Sequence, residues 1–146
     1  MTTKQAVHAT FTLEKAYLAS PERVFQAWAD PTAKARWFGA AEHSLDFKVG
    51  GIETNCATTA DNVRLAVESR YHDIVPNERI IYSTALSTDD QLSTVSVTTV
   101  EFAADGEGTK LVLTEYGTFI DGHEEPSWRV QGTSDWLDAL GNEFKN

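Results

Sequence analysis

The chain has 146 residues, 41% of them hydrophobic and 10% aromatic, a composition that fits a folded core and not a disordered chain. No apolar run approaches the length of a membrane span, and a net charge of −10 offers no basic patch to neutralise phosphates, so neither a membrane span nor nucleic-acid binding is expected. The length makes one domain over residues 1–146 the default, and Cys56 has no second cysteine to pair with. Met1-Thr2-Thr3-Lys4-Gln5 leads into no apolar signal core, and a cytoplasmic location is the expectation.

The first element is a strand over residues 6–18, where Val7, Ala9, Phe11 and Leu13 alternate onto one face. Two short helices follow within 21–38. Ser20 can cap the first, with Pro21 at its first position and Glu22 beside the positive helix end. Val24, Phe25 and Trp28 give it a buried side. Asp30-Pro31 repeats the start signal, and Gly39 is a candidate left-handed stop. Short strands are expected over 43–49 and 52–59, then longer ones over 63–75 and 79–86. Asp61-Asn62, Pro76-Asn77 and Asp89-Asp90 are the turns between and after them. Residues 94–102 and 109–119, rich in β-branched side chains, form a hairpin around Gly106. The period then changes. Trp128, Gly132, Trp136, Leu140 and Phe144 recur every four residues, with Leu137 filling in, which predicts one long helix after Pro126. The order predicts an α+β fold of antiparallel strands curled around that helix, with room for a cavity between them.

The acids are unevenly placed. Through Ala85 ten face nine Lys or Arg, whereas from Leu86 onward twelve face only Lys110, Arg129 and Lys145. The excess reads as a solubilising surface, with a basic partner as the sharper alternative.

Four stretches also carry a resemblance. They are Ala19-Ser20-Pro21-Glu22-Arg23-Val24-Phe25-Gln26-Ala27-Trp28 closed by Trp37-Phe38-Gly39, the pair Gly50-Gly51, the segment from Tyr71 to Ile80 with its Pro76-Asn77-Glu78-Arg79 turn, and the strand from Gly108 to Glu115. In this order the chain resembles the Hsp90-ATPase-activator-like branch of the helix-grip superfamily, also known as START-like, Bet v 1-like or SRPBCC. The resemblance implies six to seven curved antiparallel strands around a long C-terminal helix, with a ligand cavity between sheet and helix. Of the co-chaperones that give the branch its name, the chain resembles only the C-terminal domain, and no segment resembles their N-terminal domain. The chain departs from the family pattern at Gly132-Thr133, where Gly-Trp is common, and at Ser69, where glycine is common.

His8, His43, His72 and His123 have no metal-ligand spacing among themselves or with Cys56, so no metal is expected, and no motif points to a cofactor. Gly50-Gly51 joins two strands and reads as a turn rather than a phosphate cradle. The aromatic residues are the better guide, because small-molecule sites combine apolar walls with a few polar groups. Trp37 is expected at the mouth of such a site, with Tyr82, Glu115, Trp128 and Gly132 lining it. Glu115 alternates with Leu111 and Leu113; facing the interior, it would be a buried carboxyl with a raised pKa and the one candidate acid/base group, while at a strand end it would reach water. No catalytic residue is otherwise assigned. The leading expectation is binding of a hydrophobic or aromatic small molecule. The alternatives are a protein-interaction module related to Hsp90 co-chaperones, and an enzyme of polyketide cyclase, aromatase or hydrolase type. A homodimer and a chaperone partner stay open.

Overall fold

The computed structural model describes residues 4–38 and 42–145. In chain order it runs β1 (Ala6–Tyr17), α1 (Pro21–Ala29), α2 (Pro31–Phe38), β2 (Glu42–Leu45), β3 (Ile52–Thr58), β4 (Arg64–Val75), β5 (Arg79–Thr88), β6 (Gln91–Asp105), β7 (Gly108–Ile120) and α3 (Pro126–Leu140). A 3-10 turn over Gly141–Phe144 extends α3. The strands form one antiparallel sheet in the order β1-β7-β6-β5-β4-β3-β2. This is the α+β helix-grip architecture expected from the sequence.

The helix starts follow their local chemistry. Ser20 Oγ accepts the Arg23 amide at 3.2 Å, and Asp30 Oδ1 accepts that of Thr32 at 3.1 Å. Val24, Phe25 and Trp28 are buried on one side of α1. The expected stop at Gly39 lies outside the described residues. The strand expected over 43–49 ends at Leu45, because Asp46 to Gly51 folds into a tight turn. There Lys48 and Gly51 donate to Asp46 and Lys48 carbonyls, and Gly50 sits at φ 84°. A Cβ on Gly51 would lie 2.0 Å from the Asp46 carbonyl oxygen, so backbone approach demands glycine here. Asp89 and Asp90 both take positive φ, as the two-residue turn between β5 and β6 requires.

Cross-strand register sorts the inner face of the sheet into rows. Ile80, Val100, Leu113 and Leu13 make an apolar row. Next comes Tyr71, Tyr82, Thr98 and Glu115, then Glu53, Ser69, Thr84 and Ser96, and beyond them Asn55, Val67, Leu86 and Thr94. α1, α2 and the C-terminal half of α3 cover the apolar end, where Trp28, Leu111, Leu137 and Leu140 are fully buried.

The long helix turns a different side inward than its four-residue repeat suggested. Arg129, Thr133, Leu137 and Leu140 are the buried positions, one residue on from the repeat through most of the helix. Trp128 is 62% exposed. No helix among the described residues is long and apolar enough to cross a membrane.

Candidate functional site

A cleft of about 710 Å³ opens between the N-terminal half of α3 and the inner face of β3, β4 and β5. Leu65, Val67 and Leu86 supply its sheet wall, with Phe38 at one end, while Trp128, Gly132 and Trp136 face it from the helix. Helical spacing explains the last three, since residues four apart stack along one side. A Cβ built on Gly132 meets nothing within 4 Å, so the missing side chain there is open space. Trp136 packs on Phe38 with ring centroids 4.3 Å apart. Another depression, of about 590 Å³, is centred on the outer face of β3, β4 and β5, where Thr54, Cys56, Arg64 and Glu68 give it a more polar wall.

At the inner end of the cleft Arg129 projects from α3 toward the sheet. Its Nε lies 3.2 Å from Glu115 Oε2 and 3.7 Å from Glu124 Oε1. The first approach lacks hydrogen-bond alignment, so charge rather than a directed bond holds that pair. Thr98 donates to Glu115 Oε1 at 2.6 Å, and Thr94 donates to Glu124. Glu115 is only 6% exposed. Burial pushes its pKa up, and Arg129 and Thr98 only partly counter this, with Glu124 adding to the rise. Glu115 is not among the described residues of the cleft wall, and Arg129 links it to the cleft.

A second buried polar group stands beside α2. Lys34, 1% exposed, donates to Glu53 Oε1 at 2.7 Å and to the Tyr71 hydroxyl at 3.2 Å. Tyr71 donates to the same Glu53 oxygen at 2.6 Å, and His43 Nε2 lies 2.7 Å from Oε2. The rings of Trp28, Trp37, Phe38, Tyr71 and Tyr82 surround the ammonium at 4.8–5.9 Å. Burial draws the Lys34 pKa down against the pull of Glu53. Burial also penalises the Glu53 carboxylate, but Lys34, Tyr71 and His43 together outweigh it and hold the group below its ordinary range.

The five residues expected at the site therefore separate. Trp128 and Gly132 line the cleft. Tyr82 and Glu115 are buried in the row behind its floor. Trp37 is no rim residue. It is 3% exposed, stacks edge-on against Trp28 at 4.8 Å, and donates its indole N–H to the Ala27 carbonyl at 2.9 Å. It belongs to the core because it lies three residues after Lys34, on the side of α2 that meets α1. Sequence reasoning gives no site role to Arg129, Glu124, Lys34 or Glu53. A signal for the first existed, since Arg129, Thr133 and Leu137 repeat at the same spacing as the tryptophans. Among the described residues no three His, Cys, Asp or Glu side chains gather in a way that could hold a metal ion.

The curled sheet, the long helix across it and the cleft between them define a helix-grip protein. The chain belongs to the family of Activator of Hsp90 ATPase homolog 1-like proteins, whose model matches residues 18–145. It is similar to an uncharacterized protein from Rhizobium leguminosarum, with 40% identity over 97% of each chain and a TM-score of 0.93. It is also similar to protein Mll3558 from Rhizobium loti, with 39% identity, 95% of this chain and 99% of that one covered, and a TM-score of 0.89. CalU16 from Micromonospora echinospora shares the fold at 19% identity, covering 98% and 87% of the two chains with a TM-score of 0.68. No curated protein matches the chain.

Proposed function

We propose that the protein binds a hydrophobic or aromatic small molecule in the cleft between α3 and β3–β5. The observation that carries this reading is the cleft itself. Its volume of about 710 Å³ falls in the range of ligand sites, and its wall combines aliphatic and indole surface with polar side chains such as Asn55, Glu124 and Arg129. Trp128 and Gly132 contact the ligand in this reading, while Glu115 supports Arg129 from behind and Tyr82 lies in the same row of the sheet as Glu115. A transformation of the ligand is not required.

N-phenyl-1-naphthylamine, an uncharged probe that brightens in apolar surroundings, tests the reading. Saturable binding to the wild type is expected. Gly132→Leu should weaken it at least tenfold, because the new side chain fills open space in the cleft. The same change replaces a helix-interior glycine and removes a backbone penalty of ~1 kcal/mol, so folding should not suffer. Saturable binding that Gly132→Leu leaves intact, or no binding at all, would overturn the proposal.

A further inference from the structure

We propose that the ligand of this cleft carries a protonated amine on its apolar body. The inference rests on the reading of the cleft as a ligand site and concerns the charge that the site selects. Asp61 and Glu124 line the cleft, against Arg129 as the one Lys or Arg among its described wall residues. With His123, which also lines the cleft, counted as uncharged, that leaves one excess negative charge. Glu115 lies 3.2 Å from Arg129 behind the wall. The guanidinium is thus already shared between two carboxylates. An anionic ligand would have to displace one of them or sit beside both.

The free hydrogen-bonding capacity points the same way. Asn55 lines the cleft as well as the outer depression, and among the described residues its side-chain oxygen is buried without a partner. An ammonium is an all-donor group and suits an unpaired carbonyl and a carboxylate together. The indoles of Trp128 and Trp136 also line the cleft, the latter with Phe38 packed against it, and electron-rich rings attract organic cations. A neutral ligand would gain the apolar contacts alone.

Three probes with one apolar body separate the possibilities: 2-naphthylmethylamine, 2-naphthalenemethanol and 2-naphthoate. Calorimetric titration at pH 7 should give the amine the tightest binding, about tenfold over the alcohol, as one partly desolvated cation contact supplies. The carboxylate should bind most weakly. Glu124→Gln should bring the amine-to-alcohol ratio toward one, and so should Asp61→Asn, which alters only an exposed loop residue. Gly132→Leu should abolish amine binding. Amine binding that survives Gly132→Leu would be adsorption to the acidic surface and would overturn the proposal. Equal affinities, or tightest binding of the carboxylate, would overturn it while leaving the ligand site standing. Failure of all three probes together with N-phenyl-1-naphthylamine would remove the ligand site itself, and the charge preference with it.

Discussion

Lys34→Met probes the strongest local claim of the structure, that a full charge pair is buried beside α2. Methionine keeps most of the stem volume and deletes the ammonium. At 2.7 Å and an effective dielectric of ~20, Lys34 and Glu53 attract by ~6 kcal/mol, while removing each ion from water costs several kcal/mol. The intact pair is therefore nearly neutral for stability, but a single survivor is not. With Lys34 gone, the Glu53 carboxylate keeps Tyr71 at 2.6 Å and His43 at 2.7 Å, which shares out part of its charge. The loss should sit at the low end of the usual range for breaking a buried pair, ~3 kcal/mol. For a domain near this size that corresponds to a fall in Tm of roughly 6–12 °C.

Urea unfolding followed by far-UV circular dichroism measures the loss. Glu53→Gln alone should also destabilise, since it leaves the Lys34 ammonium without its carboxylate. The double variant removes both charges, and its amide still meets Tyr71 and His43. It should return to within ~1 kcal/mol of the wild type. The acid limb gives an independent check. The folded-state pKa of Glu53 is lowered, so its contribution is present above its ordinary value of 4.5 and is lost as pH falls through the folded value. Glu53→Gln should flatten that limb. A Lys34→Met variant within ~0.5 kcal/mol of the wild type, or a double variant that simply adds the two losses, would refute the argument.

Trp37→Ala should cost ~3–5 kcal/mol, because it empties a core site and orphans the Ala27 carbonyl, whereas Trp128→Ala should change stability by no more than ~0.5 kcal/mol and weaken probe binding; paired melts and titrations distinguish them. Stability should fall above pH 10. Tyr17, Tyr71 and Tyr82 have pKa values raised mainly by burial, so the unfolded chain releases their protons first, and their contribution is lost as pH climbs past 10.0. Lys34, lowered by burial, works in the opposite direction up to 10.5, but it is one group against three. The absorbance of those three phenolates should appear together with the loss of far-UV signal. Ser20→Ala should cost ~1 kcal/mol through the lost cap on α1, as read from a urea midpoint.

The fold was legible because its signals are local. Ser20-Pro21 starts a helix whatever the rest of the chain does, Asp89-Asp90 accepts positive φ, and the strands announce themselves by alternation. The wall of the cleft was legible only in part, because it depends on which side of an element meets which neighbour. Trp128 and Gly132 are expected at the site and line it, and Trp136 joins them at the same spacing, but spacing alone does not say whether that side of α3 meets the core or the cleft. The spacing one position on, Arg129, Thr133 and Leu137, carries the buried side and begins with a charge, which apolar periodicity discounts. Lys34 and Glu53 were invisible for the same reason. Nothing in a strand of Glu-Thr-Asn-Cys says that its glutamate turns inward to meet a lysine nineteen residues earlier. Trp37 shows the converse error, since an indole suits a rim and a core equally until its N–H finds a carbonyl.

The rows of the sheet show why core and cleft can coexist on one face. The Ile80 and Val100 row is sealed under α1 and the end of α3, and the Val67 and Leu86 row borders the cleft. Between them lie two rows with a mostly polar inventory, Tyr71-Tyr82-Thr98-Glu115 and Glu53-Ser69-Thr84-Ser96. An apolar surface in their place would let α3 close down and extend the dry core. Instead these groups satisfy one another. Ser69 and Thr84 bond at 2.8 Å, Thr98 holds Glu115, and Lys34 holds Glu53. Ser69, one of the departures from the family pattern, is therefore a working member of this belt. Arg129 joins the belt to the cleft, with Glu115 on one side and Glu124 on the other. Substitutions on the core side of the belt should register as lost stability and those on the cleft side as lost binding. Arg129 sits on both sides, and Arg129→Met should strand Glu115 and alter the cleft at the same time.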